Sequence, residues 1–328
     1  MDTLRFHAGE LAVQARAGVR ADFAQRASVA IRDHMPDQHR QFFSELPYFI
    51  LGALDGAGQP WATMLAGAPG FIAAPDARTL RIGGGLLPSD PLQGELLPGR
   101  HVGGLGLVPA TRRRNRVNGV IEAVEGEVLS IGVLQSFGNC PQYIQQRMHH
   151  LDTPRPEPLV VRASHLNEQD RALIERADTF FIASAKLDAE ADGSSDGARG
   201  VDVSHRGGRP GFVHADADGT LLAPDFMGNF FFNTLGNLTA YPRAGLLFVD
   251  FDSGDLLHLA VEAEIVWDGP LVAAFEGAER LLRFQVREVV RNAGALPFRW
   301  GEARPAAQLA ETGNWREAAQ ALRGIVEN

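Results

Sequence analysis

The sequence predicts a mainly β protein with flanking helices (α+β), built as two β-barrel halves related by internal duplication. Three observations carry this expectation. Short runs of β-branched and apolar residues alternate with Gly, Pro and Asp through most of the chain, which is the pattern of antiparallel barrels and sandwiches. Apolar positions at helical spacing occur only at the margins and between the halves. The two halves also resemble one another. Leu46–Ala53 is similar to Ala177–Ser184, Pro69-Gly70-Phe71 recurs as Pro210-Gly211-Phe212, the run from Val102 recurs at Ala244, and Val117–Glu122 aligns with Leu259–Glu264. The last three anchors share nearly one offset, and the repeat is as long as a whole domain rather than a solenoid unit.

In chain order, residues 1–40 form an N-terminal helical segment, in which Leu11, Val13, Phe23, Val29 and Ile31 give residues 11–34 roughly helical spacing. Residues 41–150 are the first half. Near its end, Asn139 as N-cap and Pro141 in the first turn predict a helix beginning Asn139-Cys140-Pro141. Residues 151–176 hold the proline-rich linker Thr153-Pro154-Arg155-Pro156-Glu157-Pro158 and a helix from Asn167 to Arg176. Residues 177–300 are the second half, whose first hairpin is interrupted by an acidic, Gly/Ser-rich stretch from Lys186 to Gly200 that reads as a mobile loop. Residues 301–328 close the chain with a helix from Trp315 to Val326.

A chain of 328 residues that is 45% hydrophobic can bury a substantial core. No run approaches the roughly 18 apolar residues of a membrane span, and the first residues lack the basic start and apolar stretch of a signal peptide, so a cytoplasmic protein without membrane partners is expected. A single cysteine excludes an intrachain disulfide and a multi-cysteine metal centre. The net charge of −9 argues against nucleic acid as a partner, since an acidic surface repels phosphate backbones.

Against this acidic background two segments offer chemistry for an anion. Ser204-His205-Arg206-Gly207-Gly208, followed by Pro210-Gly211-Phe212, places a hydroxyl, an imidazole, a guanidinium and flexible backbone at the end of an apolar run. A second polar cluster, Pro224–Asn229 and then Asn233-Thr234-Leu235-Gly236-Asn237, lies between the strand-like Thr220-Leu221-Leu222 and Ala244–Val249. Two such loops beside one sheet make a pocket. The densest positive cluster, Arg112-Arg113-Arg114-Asn115-Arg116, lies between the strands Val102–Val108 and Val117–Ile121, and reads either as a solvated hairpin tip or as arginines converging on one anion.

With this spacing the chain resembles the pyridoxamine 5'-phosphate oxidase-like family of FMN-binding split β-barrels, over residues 177–268 and more loosely over 46–135. The resemblance implies two split-barrel halves and FMN as cofactor. It also implies contacts to the FMN phosphate and ribityl chain from Ser204, His205, Arg206, Gly207, Asn229, Thr234 and Asn237, with Arg112, Arg114 and Arg116 completing the site from the other half. Phe212 or Trp61 would form an apolar wall for the ring. The reaction class implied is an FMN-dependent oxidoreductase moving electrons or hydride to or from a small-molecule substrate or electron donor, with a homodimer as a further assembly. The alternative is an FMN- or haem-binding protein without turnover. The Arg-Lys pair that follows the second loop in the biosynthetic oxidase is absent, Phe230-Phe231-Phe232 standing there instead, so its substrate does not carry over.

Other signals weigh less. Gly193-Ser194-Ser195-Asp196-Gly197 fits the G-x-S-x-G pattern of serine hydrolases, but acidic residues rather than a strand precede it. No G-x-G-x-x-G opens a helix, which leaves a dinucleotide-binding domain unsupported. Cys140 has a helix-start context that can activate a thiol, although a lone cysteine is more often a small buried hydrophobe. His149-His150 are adjacent and cannot chelate one ion from a helix. His205 reads as a neutral hydrogen-bonding group rather than a catalytic base. His7 has no assigned role.

The repeat itself is asymmetric. The first half has Ala62-Thr63-Met64-Leu65 in the region of Ser204–Gly207, without a guanidinium, and the second has Asp255–Leu259 in place of the arginine cluster and Val261 where the first has Gly119. One composite site with one FMN per chain is therefore expected, its mirror image being degenerate.

Overall fold

The computed structural model describes residues 6–68, 70–87, 89–152, 159–187 and 200–326. Three short helices, α1 (Ala8–Arg16), α2 (Ala21–Ser28) and α3 (Asp37–Ser44), precede the first sheet of β1 (Tyr48–Leu54), β2 (Pro60–Ala66), β3 (Ile72–Ala73), β4 (Thr79–Ile82), β5 (His101–Val108), β6 (Arg113–Glu125) and β7 (Val128–Gly138). A connecting region follows with β8 (His149–Leu151), β9 (Leu159–Ala163) and α4 (Glu168–Arg176). The second sheet holds β10 (Thr179–Lys186), β11 (Gly200–Gly207), β12 (His214–Ala215) and β13 (Thr220–Phe226). After α5 (Asn233–Ala240) come β14 (Arg243–Val249), β15 (Leu256–Val266), α6 (Pro270–Ala274) and β16 (Ala278–Ala293), and the chain ends with β17 (Phe298–Trp300) and α7 (Trp315–Val326).

The strand orders establish the duplication. The first sheet runs β2-β1-β5-β6-β7-β4-β3 and the second β11-β10-β14-β15-β16-β13-β12, the same path through equivalent strands, with β9 added beside β16. Every adjacent pair is antiparallel. Each half is thus a Greek-key split barrel, in which the hairpin β3–β4 is carried across to pair with the last strand.

The two halves pack face to face through equivalent glycines. A Cβ on Gly103 of β5 would lie 2.5 Å from the Val201 carbonyl oxygen of β11, and one on Gly245 of β14 would lie 2.3 Å from the Pro60 carbonyl oxygen of β2. Only a residue without a side chain lets the backbones approach this closely. The join between them is a hydrophobic core shared by both halves, with Ile50, Met64 and Leu105 from the first and Phe181, Val203 and Leu247 from the second. Separate cores fill each barrel, one around Phe43, Phe49 and Ile131, the other around Phe180, Phe248 and Phe284. Alternation puts these residues inward, because successive strand side chains point to opposite faces.

Several expectations meet a different structure. The continuous helical pattern of residues 11–34 is two helices, because α1 ends at Ala17 and Gly18 takes a left-handed φ of 74° before α2 begins. No helix starts at Asn139. The Asn139–Gln145 segment is a turn region in which Tyr143 has a φ of 64° and the Arg112 guanidinium donates to the Ile144 carbonyl at 3.0 Å, so a tertiary bond overrides the local helix signal. The helix over Glu168–Arg176 forms with Asn167 as N-cap in a capping box with Asp170, and Trp315–Val326 is helical. The Thr153–Pro158 linker, the G-x-S-x-G stretch and all but the ends of the Lys186–Gly200 loop lie outside the described residues. Among the described residues no helix is long and apolar enough to cross a membrane, which says nothing about strands, and no cluster of three or more His, Cys, Asp or Glu side chains is placed to hold a metal.

Candidate functional site

A cleft with about 830 Å³ of space between atoms, partly open to solvent, lies where the halves meet. Its floor comes from β11, carrying Ser204, His205, Arg206 and Gly207, and from β6 of the other half, carrying Arg114 and Arg116. The end of β13 and the loop into α5 form one wall, and the Asn139–Tyr143 turn faces it. Gly207 is required by this turn, since a Cβ there would meet the Tyr143 carbonyl oxygen at 2.0 Å.

The floor is a cross-half hydrogen-bond network. The Arg116 Nη2 donates to Ser204 Oγ, its Nη1 donates to Asn233 Oδ1 at 3.2 Å, and the guanidinium lies 3.6 Å from Asp202. Ser204 Oγ and Thr234 Oγ1 are 2.8 Å apart. Arg114 Nη1 lies 3.2 Å from His205 Nδ1. Arg206 is paired with Asp225, whose other oxygen accepts from Arg280 at 2.5 Å. Arg280 is itself sandwiched against Phe232 and Trp267, 5.2 Å from each ring centroid.

Burial makes this cluster hungry for negative charge. The Nε groups of Arg114, Arg116 and Arg206 are buried without a hydrogen-bond partner, as is Asn139 Oδ1. Burial, with Arg116 beside it, pushes Arg114 down to about 9, and burial lowers Arg116 as well against the pull of Asp202. A guanidinium stays protonated in proteins, so these shifts measure an electrostatic cost that an incoming anion relieves. Burial and the neighbouring Arg114, Arg206 and Arg147 hold His205 well below the ordinary histidine range. It is therefore neutral at pH 7, its bare Nδ1 accepting from Arg114 and its proton on Nε2.

The sequence-predicted residues divide clearly. Ser204, His205, Arg206, Gly207, Asn229, Thr234, Arg114 and Arg116 line the cleft, and so does Phe212. Two do not. Arg112, at a left-handed φ of 54°, turns away and donates to the carbonyls of Ile144, Arg304 and Pro305. Asn237 lies behind the floor, accepting from His7 Nε2 at 2.9 Å and donating to Asp202 and Ser184. Trp61 is buried in the first barrel, donating to Asp55. Arg113 runs along the opposite face, over the Phe42 ring and bonded to the Gln38 carbonyl. Cys140 lines the cleft. Sequence reasoning put Asp225, Phe226 and Asn233 in the pocket-forming loops without giving them a role, and missed Tyr143 as a lining residue. Asp225 could have been singled out as the one acidic group inside the polar loop sequence that otherwise reads as anion-binding.

Strand registers locate the mirror position. Leu51 of β1 pairs with Thr63 and Gly104, as Ile182 of β10 pairs with Ser204 and Leu246, and Gly104 pairs with Val117 as Leu246 pairs with Leu259. Thr63 thus corresponds to Ser204, Leu65 to Arg206, Leu256 to Arg114 and His258 to Arg116. Thr63 donates to the buried carboxylate of Asp90, where Ser204 meets the neutral Thr234 hydroxyl. Three guanidiniums have become two leucines and a histidine, and a carboxylate has been added. The mirror position cannot attract an anion.

No family model and no curated protein matches the chain. Solved structures to which it is similar include a protein of Lactobacillus delbrueckii provisionally described as a pyridoxamine 5'-phosphate oxidase, at 15% identity and a TM-score of 0.30, covering 38% of this chain and 93% of that one. An FMN-binding protein of Syntrophomonas wolfei has 14% identity and a TM-score of 0.27, over 38% of this chain and 88% of that one. HutZ, a haem storage protein of Vibrio cholerae, has 13% identity and a TM-score of 0.27, over 40% of this chain and 96% of that one. Each match spans about 40% of the chain, the extent of one repeat. The strand order found in both halves makes this chain a tandem of two split β-barrels.

Proposed function

We propose that the chain binds one FMN in the cleft and works as an oxidoreductase-type flavoprotein, moving electrons or hydride to or from a small molecule. The observation that carries this is the set of three arginines whose Nε groups are buried and unpartnered, drawn from both halves around the Ser204–Thr234 hydroxyl pair. That donor set suits a phosphate, which offers several oxygens at once. Arg114, Arg116 and Ser204 would hold it, with Arg206 contributing through the Nε that its pairing with Asp225 leaves unused.

Bound FMN would supply one- and two-electron redox chemistry. The chain's own residues would orient and enclose it. Phe212, Phe226 and Tyr143 give the cleft an apolar flank for a planar ring, and Tyr143 is fixed by donating to the Met227 carbonyl at 3.0 Å. A neutral His205 donates from Nε2 and brings no further charge to the floor. The asymmetry of the repeat supports one cofactor per chain.

A second reading is FMN or haem binding without turnover; for haem, His205 would have to move its proton off Nε2, since Nδ1 already accepts from Arg114. The absorption spectrum of freshly purified protein separates the two, and titration of apoprotein gives the stoichiometry. Lack of a flavin or haem spectrum together with no uptake of added FMN would sink both readings. Two flavins per chain would sink the asymmetric site.

A further inference from the structure

Behind the cleft floor, the N-terminal helix places an acid where no sequence motif marks one. Glu10 on α1 is buried, with only 2% of its surface exposed. Its Oε2 accepts from the His7 backbone N–H at 2.8 Å and its Oε1 accepts from Asn233 Nδ2. Asn233 turns its Oδ1 to Arg116, so Glu10 and the cleft arginine share one amide between them.

The contact is built into the backbone. A Cβ on Gly9 would lie 2.4 Å from the Gly236 carbonyl oxygen, and one on Gly236 would lie 2.6 Å from the Glu10 nitrogen, so α1 and α5 meet with no side chain between them. His7 caps the helix through Nδ1, which accepts from Gly9, and ties it to α5 through Nε2 and Asn237.

We propose that Glu10 is a positioning residue for the anion site: as a neutral acid it leaves Arg116 free to attract the ligand, and as a carboxylate it draws that charge to itself, so that anion binding is coupled to proton retention at Glu10. This rests on reading the cleft as the FMN site. The charged and titratable groups facing Glu10 are His7 on its own helix, Asp202 on β11 and Arg116 on β6; the Asn233 and Asn237 amides of α5 complete its surroundings. Burial, and after it the negative charge of Asp202, raises the Glu10 carboxyl to about 8, so the exchange falls just above neutral pH. Ionised Glu10 and Asp202 together would place two carboxylates against one guanidinium, taking the group from no net charge to −1 and weakening the pull of Arg116 on an anion.

The test is the FMN affinity of apoprotein between pH 7 and pH 9, compared with that of Glu10→Gln, which keeps the amide contact and cannot ionise. Affinity of the wild type should weaken by at least about fivefold across this range, a usual size for site–site coupling, and Glu10→Gln should flatten the profile. Infrared difference spectra of the apoprotein over the same range should lose a protonated-carboxyl C=O band, whether or not Glu10→Gln folds. A Glu10→Gln profile as steep as the wild type, or no change in that band, overturns the inference. FMN binding that is tight and flat from pH 7 to 9 overturns it while leaving the cofactor reading intact, whereas no saturable FMN binding at pH 7 overturns the cofactor reading itself.

Discussion

Arg116 and Ser204 belong to different halves of the duplicated chain, and the guanidinium of the first donates to the hydroxyl of the second. The cleft is therefore composite, and neither half alone contains the donors that an anion needs. The two equivalent positions of the repeat differ, with His258 standing where the other half has Arg116.

Replacing Arg114 and Arg116 together with Ala should weaken FMN binding by roughly ten- to a hundredfold, since charge-assisted hydrogen bonds are worth about 1.5–3 kcal/mol each and part of the loss is recovered by solvent. Riboflavin, which lacks the phosphate, should lose much less. Fluorescence titration of folded apoprotein with both ligands decides it. Equal losses for the two would move the arginines away from the phosphate, and unchanged affinity would make them a structural cluster.

Asp225→Ala should destabilise the protein more than any single arginine replacement in the cleft. Asp225 is buried and answers both Arg206 and Arg280, so its removal takes the counter-charge from Arg206 and leaves Arg280 only the more distant Glu279, 3.8 Å away. Breaking such a buried pair costs about 3–5 kcal/mol. The midpoint of urea unfolding is the measurement, and Asp225→Asn, which still accepts hydrogen bonds, should fall between the two.

The fold and part of this site were legible because they depend on local pattern. Alternation and the self-similar runs identify the strands, and a hydroxyl, imidazole and guanidinium at a strand end identify β11 as a ligand-facing segment. The arginine run was legible as a cluster but not in its parts. Once the strand starts at Arg113, alternation sends Arg114 and Arg116 to the cleft and Arg113 away, while Arg112 sits in the preceding turn with a left-handed φ of 54°. The helix expected at Asn139 failed because Arg112 holds the Ile144 carbonyl from a distant segment. Asn237 looked like a ligand contact and serves instead to fasten α1 and Asp202 behind the floor. The partners of Glu10 lie 223 residues away at Asn233, a separation at which a single sequence carries no pairing information.

Below about pH 6.5 His205 should contribute a loss of stability as the pH falls, in opposition to Glu10, whose carboxyl, raised to about 8 in the folded protein, contributes a gain over the same range. The folded-state affinity of His205 for protons is depressed by burial and three arginines, while the unfolded residue titrates near 6.5. The unfolded chain then binds a proton that the folded chain does not, a loss of up to about 1.4 kcal/mol per pH unit for one group. Buried His258 is depressed by burial and acts in the same direction. Urea unfolding of the wild type and of His205→Gln at pH 7.5 and pH 5 is the measurement, and the variant should gain stability at pH 5 relative to pH 7.5 by comparison with the wild type. An unaltered slope would mean that His205 gains its proton in the folded protein.

Phe230 should be a position where Gly is more stable than Ala. Tyr143, Phe230 and Phe232 all line the cleft and all have left-handed backbone, with φ of 64°, 60° and 57°. For a residue with a bulky side chain this conformation costs roughly 1–2 kcal/mol, and it persists only where surrounding structure enforces it. Here the N-terminal segment does so, Phe6 before α1 packing edge-on against Phe231 at 5.4 Å and Phe23 of α2 against Phe230 at 5.9 Å. Phe230→Ala and Phe230→Gly remove the same ring, but only Gly relieves the backbone. At an ordinary position Ala is the more stable of the two, because Gly frees the unfolded chain. The order should invert, with the Gly variant melting roughly 2–4 °C above the Ala variant for a difference of about 1 kcal/mol. Both should bind FMN more weakly than the wild type, by about two- to tenfold for one lost ring contact. An Ala variant that melts higher than the Gly variant would show that the loop is unstrained, and full FMN affinity in both would place the flavin ring elsewhere in the cleft.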